Sequence, residues 1–113
     1  LPPADDPAAW AAVSATIARH DRHCRGVVVL GLEADERALA ASFGVAAGFP
    51  VCKGFAVGRT IFAEAARRWF SGAARDAEVI DEVAERYARL IALWQRARSS
   101  ASQATTHSVT ETT

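Results

Sequence analysis

The sequence predicts an α/β chain in which two parallel strands alternate with helices. Three observations carry this. Helical and strand-like segments succeed each other in the order α, β, α, β, short α, long α, and such alternation implies parallel strands joined by right-handed crossovers. The run Val27-Val28-Val29-Leu30-Gly31-Leu32 is β-branched and apolar on both parities, as in strands covered by helices on both faces. Finally, the second strand runs into Gly58-Arg59-Thr60, a tight turn that opens a helix.

Each element has its own local cause. Asp6 before Pro7 is an N-cap followed by the residue best tolerated at the first helical position, and Trp10, Val13 and Ile17 recur at helical spacing, so a helix is expected over 7–19. His20 to Gly26 form a polar connector. Asp35 caps the next helix, whose apolar face carries Leu39, Phe43 and Ala46 and which stops at Gly48 and Pro50. A second strand covers 51–57. A short helix covers 61–70, closed by Ser71-Gly72. A long helix begins at Asp76 and runs to about Arg98, with Ile80, Val83, Tyr87, Ile91 and Trp94 as its apolar stripe. Glu82 with Arg86 and Glu85 with Arg89 are spaced as helix-surface ion pairs. The Ser/Thr/Ala-rich stretch 99–113 has no periodicity and reads as a disordered tail, leaving 1–98 as the folded segment.

Composition narrows the function. The chain has 113 residues, half of them apolar, so a packed core is expected. Thirteen basic residues balance thirteen acidic ones, which argues against nucleic-acid binding through phosphate neutralisation. No apolar run approaches the ~18 residues that cross a bilayer, so no membrane partner is expected. Two cysteines, Cys24 and Cys52, make no disulfide framework, and a reducing cytoplasm follows. The chain lacks methionine and begins at Leu1. Two parallel strands make a poor sheet by themselves, so the expected setting is the C-terminal part of a larger α/β domain.

The residues best suited to chemistry lie where the second strand ends. Gly58 lets an anion approach the backbone, the helix start that follows offers free amides and partial positive charge, and Arg59 can fork two phosphate oxygens. Thr60 can cap the helix or donate its hydroxyl. In (β/α)8 barrels the phosphate site is commonly built from the last two strand–helix loops and a short extra helix, and here a short helix precedes the long one. Gly31 ends the first strand at the level of the neighbouring phosphate loop, where it serves either that loop or the strand's termination. Glu33 either reaches toward the site or, as the preferred reading, is a solvated loop acid.

Other candidates are weaker. Lys53 is the one lysine and so the one Schiff-base amine, but it precedes Gly58 by about 16 Å of strand at ~3.3 Å per residue. A structural place fits it better than catalysis. His20, His23 and Cys24 have no partner motif, so no metal is expected. Trp10, Trp69 and Trp94 read as core residues, and Arg67-Arg68 as a solvated face. No Ser-His-Asp order, Walker loop or dinucleotide glycine pattern is present.

Two stretches carry a resemblance: Val27-Val28-Val29-Leu30-Gly31-Leu32-Glu33-Ala34 and Lys53-Gly54-Phe55-Ala56-Val57-Gly58-Arg59-Thr60-Ile61-Phe62. Over residues 7–98 the sequence resembles the end of the C-terminal domain fused to bacterial 5-dehydro-2-deoxygluconokinases of inositol catabolism. That domain is similar to aldolase-type (β/α)8 barrels that cleave 6-phospho-5-dehydro-2-deoxygluconate to dihydroxyacetone phosphate and malonate semialdehyde. The resemblance implies the last two strands of a TIM barrel, a substrate phosphate held at Gly58 and Arg59, and a catalytic lysine on an earlier strand outside this chain. It further implies a phosphorylated sugar acid as ligand, and the rest of the barrel and a kinase domain as partners. ATP and Mg are expected only in that kinase, and no cofactor in this segment. The alternative is a non-catalytic module that senses a sugar phosphate for the kinase. A self-assembling structural protein is a third reading.

Overall fold

The computed structural model describes residues 1–112. The order is α1 (Pro7–His20), β1 (Val27–Leu30), α2 (Glu36–Ala46), β2 (Cys52–Ala56), α3 (Arg59–Phe70) and α4 (Asp76–Thr112). The expected alternation is therefore present. Asp6 caps α1 by accepting from the Ala8 amide at 2.9 Å, and Asp35 caps α2 by accepting from Ala38 at 2.8 Å. Helix α3 starts at Arg59, two residues before the expected position.

β1 and β2 are parallel, with Val28 opposite Gly54, Val29 opposite Phe55 and Leu30 opposite Ala56. Val27 pairs with Cys52, so Lys53 is the extra residue of a bulge. One face of this pair is sealed. Val29 is buried, and Phe55 packs on Phe43 with ring centroids 4.9 Å apart. Phe43 in turn meets Trp94 of α4 edge-on at 5.5 Å. Leu39, Ala46, Cys52, Leu90 and Trp10 complete this core.

The opposite face is open, which corrects the expectation of a strand buried on both sides. Val28 and Leu30 are 38% and 40% exposed, and the residues opposite them are the small Gly54 and Ala56. The apolar pattern of β1 is two-sided, but helices α2 and α4 cover only one side.

Leu1 lies along the free edge of β1. Its amino group donates to the Val28 carbonyl at 3.0 Å, and its carbonyl accepts from the Leu30 amide at 2.7 Å. One residue bonding both flanks of Val29 in this way is the parallel ladder pattern. The segment behind it is anchored by the Trp10 indole donating to the Ala4 carbonyl and by Ala4 donating to the buried Ser42 hydroxyl.

Two further expectations change. Helix α4 continues to Thr112, past Arg98, where a disordered tail had been expected over 99–113. No Gly or Pro follows Arg98 to stop the helix, and Arg98 is itself fixed, donating to the carbonyls of Ala47 and Cys52. Thr113 lies outside the described residues. The buried line of α4 passes through Leu90, flanked by Leu93, Trp94 and Ala97, whereas Ile80 is 66% exposed. The early part of α4 instead meets α3, through Arg68 with Glu82 and Trp69 with Asp76, and leaves Ile80 outward. Trp69 is also half exposed, with its indole donating to Asp76 at 2.7 Å, rather than sitting in the core.

Two tests follow from this packing. Phe43→Ala removes the ring on which β2 and α4 meet, and should lower stability by about 3–5 kcal/mol in urea unfolding. Burial pushes the Cys52 thiol above its ordinary 9.0, an effect only partly offset by its backbone hydrogen bond with Gly54 and the charge of Arg98. The unfolded chain therefore loses this proton first. The contribution of the neutral thiol is whole below pH 9.0 and fades as pH rises from there. Unfolding midpoints followed from pH 8 upward should show that decline, and Cys52→Ala should flatten it.

Candidate functional site

Parallel pairing sends both strands toward the same rim. The loop after β1 carries residues 31–34, and the turn after β2 carries Val57 and Gly58 into α3. The Gly31 amide donates to the Ala56 carbonyl at 2.8 Å, extending the ladder by one step. That bond uses the Gly31 amide, so this glycine acts here through its missing side chain. A Cβ on Gly31 would lie 2.8 Å from Val57 Cγ1 and 3.1 Å from Thr60 Oγ1.

Thr60 does not cap its helix. Its hydroxyl crosses to the other loop and donates to the Ala34 carbonyl at 2.9 Å. The N-cap is Gly58, with no side-chain hydrogen bond. The first donors inside α3 are the amides of Ile61 and Phe62, both to the Gly58 carbonyl. The amides of Gly58, Arg59 and Thr60 thus have no backbone acceptor among the described residues. A side chain at Gly58 would press on the Phe62 ring, 3.2 Å from the position of a Cβ.

Arg59 reaches back over the rim and pairs with Glu33 at 2.6 Å. The two side chains are 55% and 77% exposed. Leu32, just before Glu33, has φ of 51°, a left-handed conformation that non-glycine residues seldom adopt. Below this pair is a groove of about 220 Å³ between α2, α3 and α4, lined by Asp35, Glu36, Thr60, Glu64, Arg67 and Arg86 among others. Chemically, the rim offers free helix-start amides, a guanidinium and a glycine that leaves room, which is a set suited to an oxyanion.

The rim unites four of the five candidates: Gly31, Gly58, Arg59 and Thr60. Lys53 is not among them. It is exposed at the opposite end of β2, beside Gly26, which precedes β1. His20, His23 and Cys24 also lie at that lower end, and no group of three His, Cys, Asp or Glu gathers among the described residues. Cys24 and Cys52 are free thiols, each near a backbone carbonyl. No helix is long and apolar enough to cross a membrane among the described residues.

Sequence reasoning missed Glu33 as a partner. The signal was in the register: Leu30 pairs with Ala56, and Glu33 and Arg59 each lie three residues further on. The left-handed turn at Leu32, which turns the loop toward β2, has no sequence mark.

Gly31→Ala must displace Val57 or Thr60 where the two loops touch. It should cost about 1–3 kcal/mol of stability, read as a lowered urea midpoint, while Gly54→Ala, with open space beside it, should leave the loops undisturbed.

Comparison with known proteins adds one finding. No curated protein and no solved structure matches the chain. The family described as an uncharacterized protein conserved in bacteria, DUF2090, matches residues 1–98, from the edge residue Leu1 through both strands and the rim to Arg98. The chain belongs to the DUF2090 family.

Proposed function

We propose that this chain is the closing segment of a (β/α)8 barrel and supplies the phosphate half of a phosphosugar site. The single observation that carries the reading is the set of free amides at Gly58, Arg59 and Thr60, beside the Arg59 guanidinium, at the C-terminal end of a parallel strand. Barrel enzymes bind phosphate at that rim, after their last strands and on a short extra helix, and α3 before α4 matches that order.

The barrel itself has independent support. Leu1 occupies the edge of β1 in the pattern of a neighbouring parallel strand. The open face of Val28, Leu30, Gly54 and Ala56 is apolar and of small to medium size, as a barrel interior requires. The missing strands would cover that face and continue the sheet from both edges.

The resemblance supplies the ligand. In this reading the domain belongs to a 5-dehydro-2-deoxygluconokinase-type protein of inositol catabolism, and the ligand is 6-phospho-5-dehydro-2-deoxygluconate. The amides and Arg59 hold its phosphate and so fix the sugar chain over the barrel mouth. Lys53 lies at the wrong end to form a Schiff base there, so the amine for aldol cleavage belongs to the rest of the barrel. In this reading ATP and Mg belong to the kinase domain. The free thiols suit a reducing cytoplasm. The absence of an amine at this rim also fits the second reading, a sugar-phosphate sensor without turnover.

Calorimetric titration tests the site. Inorganic phosphate and a sugar phosphate should bind saturably, and Arg59→Ala should weaken both at least tenfold without changing the circular dichroism. Equal weak binding by both proteins would remove the reading. In the full-length protein, borohydride with the phosphorylated sugar acid should trap an adduct and release triose phosphate. Binding without either product selects the sensor.

A further inference from the structure

We infer that Glu33 is an internal competitor for the anion at Arg59, a carboxylate that must leave before phosphate can bind. This inference rests on the phosphate reading of the rim and adds its regulation.

The argument begins with which charges around the groove are already committed. Asp35 caps α2 through the Ala38 amide. Glu36 pairs with Arg89 at 3.1 Å, and Glu64 with Arg67 at 2.7 Å. Arg86 pairs with Glu82 at 3.2 Å. Asp35 is a cap, the Glu36–Arg89 pair joins α2 to α4, and the other two pairs lie along single helices, α3 and α4. The Arg59–Glu33 pair differs, because Glu33 sits on a loop and is among the most exposed of these side chains, at 77%.

Exposed ion pairs of this kind are weak and exchange readily with other ions. A phosphate offers Arg59 two oxygens in the fork geometry that guanidinium prefers, and its remaining oxygens face the amides of Gly58, Arg59 and Thr60. Glu33 can answer only the guanidinium. Phosphate therefore replaces one carboxylate contact with several. The displaced carboxylate stays tethered by the Leu32 turn and the Thr60–Ala34 bond, close enough to repel the incoming dianion. Glu33 thus lowers the affinity of the rim for phosphate without closing it.

A merely structural role for Glu33 predicts the opposite sign. If the carboxylate holds Arg59 in its binding position, removing its charge weakens phosphate binding. The test titrates inorganic phosphate into the wild-type chain, Glu33→Gln, Arg59→Ala and the double variant. Competition predicts three- to tenfold tighter binding in Glu33→Gln, and an effect at least threefold smaller when Arg59 is absent. Wild-type binding that is lost in Arg59→Ala, but unchanged or weakened in Glu33→Gln, overturns the inference and leaves the phosphate site standing. No saturation in either the wild type or Glu33→Gln removes the site and the inference together.

Discussion

The parallel pairing of β1 with β2, sealed on one side by Val29 and Phe55 against Phe43 and Trp94, is the constraint on which the rest depends. Because side chains alternate across a strand, fixing Val29 and Phe55 inward fixes Val28, Leu30, Gly54 and Ala56 outward. A slip of one residue in β2 would turn Phe55 to the open face and leave Gly54 and Ala56 against Phe43. The same register fixes how far each strand runs before it breaks. Glu33 and Arg59 meet because each lies the same distance past a paired residue.

Both strands point one way, so both loops gather at one rim, and that rim is held by contacts between the loops rather than within them. The Gly31 amide bonds to Ala56, and Thr60 bonds to Ala34. With Thr60 used as a tether and Gly58 bearing no side chain, nothing local satisfies the first amides of α3. A helix start of this kind normally finds its acceptor in a capping side chain. Here the cap is missing beside an arginine, and in the proposed reading an external oxyanion would satisfy these amides and Arg59 together. Lys53, at the bulge at the far end of β2, is outside this arrangement.

The sequence made some of this legible and hid the rest for identifiable reasons. Caps at Asp6 and Asp35 and the Gly58 turn depend on local chemistry, so the helices and the rim could be read directly. Burial depends on what lies opposite. The all-apolar β1 gave no sign that one of its faces would be open, because its residues are apolar on both parities. The α4 stripe was read in part: Trp94 and Tyr87 do meet the rings of the core, but Ile80 is exposed and the buried Leu90 was missed, since periodicity finds an apolar line without showing what packs on it. The Glu33–Arg59 pair needed the register, and the left-handed Leu32 turn has no residue signature. The end of α4 was misplaced because a polar Ser/Thr/Ala composition was weighed above the absence of any helix breaker.

The most direct test of the central claim follows the backbone amides themselves. With uniformly 15N-labelled protein, a titration with inorganic phosphate should shift the amide resonances of Gly58, Arg59 and Thr60 in a saturable way, ahead of any change at Lys53 or Gly26. Shifts that concentrate at the lower end of the strands, or that spread evenly over exposed arginines, would contradict it.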